Sequence, residues 1–261
     1  MKKIKLLLCL FMLTTLCGCS NSNKNESSKT LNAAMFWIST SLDPTNNYDG
    51  WVLSRIGVGE TLLKLNEKYE VEPYLAKSYE QIDDTTWKLT LKDSITFSNG
   101  KKVTGKNVKS CLERAFEKNT RAIDYFDLNH VEAKGQDIYL YLNKSSGAIL
   151  NNLCEPLFTI YDASQSEEDI ANHPLCTGPF VVDDFVSEKT IDTSKNKKYY
   201  DGKAKLDHVH FSQVADSDAR VLALQSGEVD LANTIDYSSL KLFRNNKDYQ
   251  VLEVLGPRTN V

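Results

Sequence analysis

Cysteine is scarce in the body of this chain. Of six cysteines, Cys9, Cys17 and Cys19 fall close to the N-terminus, which leaves Cys111, Cys154 and Cys176. No C-x-x-C pair occurs, and an odd number at wide spacing is not a disulfide framework. One bridge is open to them, although small buried or half-buried side chains are the plainer expectation. Catalytic signatures are missing too. There is no G-x-S-x-G elbow, no H-E-x-x-H, no Walker loop and no G-x-G-x-x-G. Histidine is limited to His130, His173, His208 and His210. His208 and His210 share one face of an expected strand, because the side-chain period is two. They could chelate a metal, but the solvated face of an edge strand is the better reading. Asp83-Asp84 and Asp183-Asp184 lie in expected turns, and neither is a ready acid/base couple. The expectation is a protein that is not an enzyme and that has no cofactor and no metal site of its own.

A basic excess is also lacking. The chain carries 31 basic and 35 acidic residues. Removing the leader lysines Lys2, Lys3 and Lys5 leaves 28 basic against 35 acidic, a formal charge of −7. That excludes a dedicated nucleic-acid binder, which needs a basic footprint. Hydrophobic content of 41% and charged content of 25% are those of an ordinary globular protein. No repeat of fixed period is visible, and no clear linker follows residue 30.

The one long apolar run sits at the front. Leu6–Leu16 follows three lysines and is too short for a comfortable membrane span. It ends in Leu16-Cys17-Gly18-Cys19, which resembles a bacterial lipobox, with Cys17 in place of the usual Ala or Ser. The resemblance implies a signal peptide over 1–18 and acylation of Cys19. Each buried acyl methylene contributes roughly 0.8 kcal/mol, so two chains make a stable anchor. Residues 19–30 are rich in Ser, Asn and Lys and are expected to form a flexible tether. The expected location is the extracytoplasmic face of a cell membrane, lipid-anchored.

Along the body, Leu31–Ser39 is predicted as a short strand. Pro44 marks a turn. Tyr48–Leu65 carries apolar residues at helix-like spacing, interrupted by Gly50, Gly57 and Gly59. In "TWKLTLKD" (86–93), Trp87, Leu89 and Leu91 alternate with polar residues, as in a half-buried strand. Ser98-Asn99-Gly100 is a turn signal. Thr104 is placed to cap a helix whose apolar face is Val108, Cys111, Leu112, Ala115 and Phe116. "DIYLYLN", "FVVDDF" and "HVHF" read as strands, and Glu167–Asp169 as a polar loop. Ala219–Ser226 reads as a helix stopped by Gly227. The irregular interleaving predicts a mixed α/β, or α+β, architecture.

Three stretches then line up in order. They are "VEPYLAKSYEQIDDTTWKLTLKDSITFSNGKKVTGKNV" (71–108), "CTGPFVVDDF" (176–185) and "YYDGKAKLDHVHFSQVADSDARVLALQSGEVDLA" (199–232). Together they resemble the family 5 extracytoplasmic solute-binding proteins of peptide and nickel ABC importers. The resemblance covers nearly all of 31–261. It implies a type II periplasmic-binding-protein fold in which 31–68 and 169–261 form a discontinuous lobe I around an inserted subdomain, 69–168. It further implies capture of a peptide or metal chelate by hinge closure and delivery to ABC permease subunits, with no chemistry on the ligand.

Members of the family are longer than this chain, so the second lobe is expected to be largely missing. A truncated product, a split gene or a fragment is the corresponding expectation. A separate chain carrying the missing lobe is then an expected partner, and weak ligand binding by this chain alone is expected. The alternative is a non-transporting adaptor or sensor remnant of the same fold. By the resemblance, Tyr48, Trp51, Arg55, Arg121 and Arg258 are the candidate ligand contacts, since aromatic and arginine groups suit a carboxylate-bearing peptide or chelate. A further ligand arginine of nickel-type members, near 154–156, is here replaced by Glu155 or displaced.

Overall fold

The computed structural model describes residues 28–253. The leader, Cys19 and Arg258 lie outside the described residues. The chain runs through β1 (Thr30–Met35), α1 (Gly50–Arg55), β2 (Leu63–Leu65), β3 (Val71–Pro73), β4 (Ala76–Gln81), β5 (Thr86–Leu91), α2 (Gly105–Lys118), α3 (Ala122–Tyr125), β6 (Leu128–Lys134) and β7 (Asp137–Leu142). It continues through α4 (Ile149–Asn152), α5 (Glu167–Asn172), β8 (Phe180–Val186), β9 (Thr190–Lys195), β10 (His208–Gln213), α6 (Ser217–Ser226) and β11 (Leu231–Ala232).

One sheet has the order β11-β1-β10-β9-β8. In it β1 lies between β10 and β11 and is parallel to both, with α6 as the crossover. Ala34 of β1 packs there against Ala223 and Val229. A second sheet, β4-β5-β7-β6, is antiparallel throughout. α2 lies against β6 and β7 and buries Val108, Cys111, Leu112 and Ala115, the face its spacing predicts. Thr104 and Asn107 form a reciprocal cap at its start. β2 and β3 pair as a small third sheet, and one core runs unbroken from β1 through α1 and the two larger sheets.

Residues within the quoted stretches have definite structural roles. In Thr177-Gly178-Pro179, the Thr177 hydroxyl donates to the buried Glu60 carboxylate at 2.7 Å. A Cβ on Gly178 would lie 2.5 Å from the Gly57 carbonyl oxygen, so only glycine fits that approach. The guanidinium of Arg220 is buried and donates to the carbonyls of Val214, Ala215, Asn233 and Thr234. Gly227 ends α6 in the left-handed region, at φ 76°.

Several expectations need correction. The helix-like spacing over 48–65 yields only α1, because the chain turns at Gly57 (φ 71°) and then extends into β2. The first strand ends at Met35, short of Ser39. Glu167–Asp169 is the first turn of α5, capped by Ser166, where acidic side chains face the positive helix end. Asp183 and Asp184 lie within β8 at a bulge, not in a turn. β10 is interior to its sheet, so His208 and His210 are not on an edge strand. His210 instead pairs with Asp192 on β9 at 2.7 Å. Among the described residues no cluster of three metal-binding side chains occurs, and Cys111, Cys154 and Cys176 are free thiols. No helix among them is long and apolar enough to cross a membrane.

Candidate functional site

The loop after β1 builds one wall of the site. Asp43 accepts from the Thr45 backbone N–H and hydroxyl at 2.9 and 2.8 Å, which folds the chain back on itself. Arg114 of α2 grips the same carboxylate bidentately, at 2.8 and 2.7 Å. Burial alone would raise the Asp43 pKa, but the Arg114 and Thr45 hydrogen bonds outweigh it and hold the carboxyl below its usual range. This anchored loop presents Tyr48, which is 54% exposed, and leads into α1 with Trp51 and Arg55 on its outer side.

The opposite wall comes from the end of α2. Asn119 is buried, and its amide donates to the Thr45 and Asn47 carbonyls, both at 3.1 Å. Its own oxygen accepts from the Arg121 N–H at 3.0 Å. Arg121 donates to the Asn47 carbonyl at 2.9 Å and to the Tyr125 hydroxyl at 2.7 Å. Its guanidinium lies 3.6 Å from the Tyr48 ring centre. Arg55 is 5.3 Å from the Phe36 ring and 5.5 Å from the Trp51 ring. The two walls meet at Glu155, which accepts from the Trp51 indole N–H at 2.9 Å and lies 4.0 Å from Arg121. Burial, reinforced by the Glu155 charge, pushes the Tyr125 hydroxyl up to about 12.

Tyr48, Trp51, Arg55 and Arg121 are thus brought to one place. The sequence reading missed Tyr125, Asn119 and Phe36, and named Glu155 only as a missing arginine. Tyr125 follows Arg121 by four residues, a helical spacing that could have flagged it. Glu155 reaches Trp51 across 104 residues, and no local signal reports that. A cavity of about 360 Å³ adjoins Trp51, lined also by Ser54, Glu60, Lys64, Tyr74 and Cys154. A larger open groove of about 610 Å³ beside Lys106, Lys109 and Lys134 is less suited to a ligand. Its lysines are solvated, and two already pair with Glu113 and Glu132.

Guanidinium groups laid over aromatic faces beside a cleft are a means of holding small carboxylate-bearing solutes. Comparison with known proteins identifies the family. Residues 70–261 match the family model described as bacterial extracellular solute-binding proteins, family 5 Middle. The chain belongs to this family. It is 32% identical over 246 residues to the nickel-binding protein NikA of Staphylococcus aureus, covering 94% of this chain and 49% of that one. The crystal structure of that NikA with Ni(L-His)2 superposes with a TM-score of 0.79, covering 84% of this chain and 46% of that chain. The glutathione-binding protein GsiB of Escherichia coli is 27% identical over 201 residues, covering 73% of this chain and 39% of that one. The fold is the mixed α/β fold of type II periplasmic binding proteins. The chain spans about half the length of the curated relatives it matches.

Proposed function

We propose that this chain is the solute-capturing component of an ABC importer, held by a lipid on Cys19 at the extracytoplasmic face of the membrane. Its ligand is a small carboxylate-bearing metal chelate of the nickel–amino-acid kind. The observation that carries this reading is the Arg121 guanidinium over the Tyr48 ring beside the Trp51–Glu155 pair, a cationic and aromatic surface with little freedom to lose on binding. The likeness to a nickel-binding relative over nearly the whole chain supports the chelate over a peptide. Residues 31–68 with 169–261 act as one lobe around the insertion 69–168. Closure of this lobe against a second one, expected on a separate chain, is what the permease reads. Arg258, outside the described residues, is kept as a candidate ligand contact on the family resemblance alone.

Calorimetric titration of the purified chain tests the reading. Nickel(II) with two equivalents of L-histidine is compared with free nickel, free histidine, glutathione and a tetrapeptide. Saturable binding of the chelate alone supports the assignment. Tighter binding of glutathione or the peptide overturns the chelate, and no saturable binding even at the high ligand concentrations that a single lobe requires overturns the site. For the anchor, Cys19→Ser moves the protein from the membrane fraction to the medium; an unchanged distribution rejects it.

A further inference from the structure

A carboxylate is an odd neighbour for an arginine meant to receive a ligand carboxylate. Glu155 is held there firmly. It precedes a 3-10 turn, Pro156–Phe158; its N–H donates to the Asn152 carbonyl at 3.1 Å and its carbonyl accepts from Phe158 at 2.9 Å. That turn is pressed against α1: a Cβ on Gly50 would lie 2.3 Å from the Pro156 carbonyl oxygen. Trp51, the next residue, therefore meets Glu155 with little slack. The Glu155 side chain is only 14% exposed, yet it lies within 4.0 Å of Arg121. A ligand carboxylate seated on that same Arg121 nitrogen at about 2.8 Å would be no more than about 7 Å from the Glu155 oxygen. Two anions at that separation in a partly dry site repel. A ligand N–H in the same position would instead be attracted.

Resting on the proposed ligand site, we infer that Glu155 is a specificity-determining residue. It makes the Arg121 face accept a ligand that presents one carboxylate beside an N–H donor, as an amino acid or an amino-acid chelate does, and reject a polycarboxylate. Arg121 supplies the attraction common to both ligand types, and Glu155 supplies the repulsion that separates them.

The test is the ratio of dissociation constants for two nickel complexes, the neutral bis-L-histidine chelate and the anionic citrate chelate, in wild type and Glu155→Gln. Glutamine keeps an oxygen for the Trp51 N–H and removes the charge. The wild type is expected to favour the histidine chelate. In the variant, citrate-chelate affinity rises about tenfold, while histidine-chelate affinity moves by less than about threefold. A purely structural Glu155 would shift both affinities together, and that result overturns the inference. A wild type that prefers the citrate chelate overturns it as well. If Glu155→Gln does not fold, the wild-type ratio is measured at low and high salt. Repulsion predicts that the ratio narrows as salt rises, and a constant ratio rejects it. Binding of neither complex to the wild type overturns the ligand site itself, an outcome distinct from failure of the Glu155 assignment alone.

Discussion

The Arg121 guanidinium lies 3.6 Å from the centre of the Tyr48 ring, although the two residues belong to different walls of the site. Asn119 explains the closeness, since it fastens both the Tyr48 loop and the Arg121 backbone. Arg121 is therefore pre-placed and needs no rotamer search on binding. Arg121→Met should weaken chelate binding about tenfold to a hundredfold, the worth of one or two hydrogen bonds to a charged group. Its side chain is partly exposed, so the melting temperature should move little. A titration alongside a thermal melt checks this. A large fall in stability with unchanged affinity would reassign Arg121 to the scaffold.

Arg114 is a scaffold arginine by contrast. Its side chain is 10% exposed, and Asp43 beneath it is 12% exposed. Arg114→Met leaves the Asp43 carboxylate buried without its counter-charge and frees Tyr161 and Thr45 of a donor. The expected loss is about 3–5 kcal/mol, read from the urea midpoint. Adding Asp43→Asn should recover part of it. The pH dependence has a definite sign. The Asp43 pKa is lowered by folding, so the pair's contribution is present above the unfolded value near 3.8 and is lost as pH falls below it. Equal stability of the single and double variants would show that the charge is not what Arg114 answers.

Local pattern carried much of the architecture. Alternation in 86–91 and 137–142, the apolar face of α2 and the Gly227 stop are all short-range signals, and each formed where the residues indicated. The helix-like spacing after Tyr48 misled, because Gly57 takes a left-handed turn that periodicity does not register. Trp87 is only half-buried and packs against the core, although it alternates in step with the fully buried Leu89 and Leu91. In the site, arginine and aromatic residues near one another in sequence were legible. Asn119 and Glu155 were not, because they act on residues 72 and 104 positions away.

Gly178 offers a direct test of the turn that joins the two sheets' segments. Its missing side chain lets the Gly57 and Val58 carbonyl oxygens come to 2.5 and 2.6 Å of where a Cβ would be. Backbone on both sides leaves nothing flexible to move. Gly178→Ala should cost about 1–3 kcal/mol in chemical denaturation. Gly147→Ala, where no atom lies within 4 Å, is the matched control and should change little. Similar effects at both positions would mean that chain entropy, and not the close approach, is being measured.

Asp49 sits between Tyr48 and α1 with its carboxyl buried. Burial pushes its pKa up from 3.8 to about 6, against the Asn46 hydrogen bond and with the help of the Asp43 charge. Between those two values the folded state holds a proton that the unfolded state has lost, so stability falls as pH rises from about 4 to about 6 and stays lower above that. A shift of this size corresponds to roughly 3 kcal/mol if fully expressed, which local relaxation and water reduce to about 1–2 kcal/mol. Asp49→Asn cannot ionise and keeps an oxygen for Asn46. Its stabilisation relative to wild type should be small near pH 4, grow through pH 5 and 6, and level off above about pH 6.5. Thermal melts across that range decide the matter: a difference that stays constant with pH would mean that Asp49 is ionised throughout, and that its burial is offset by contacts other than Asn46.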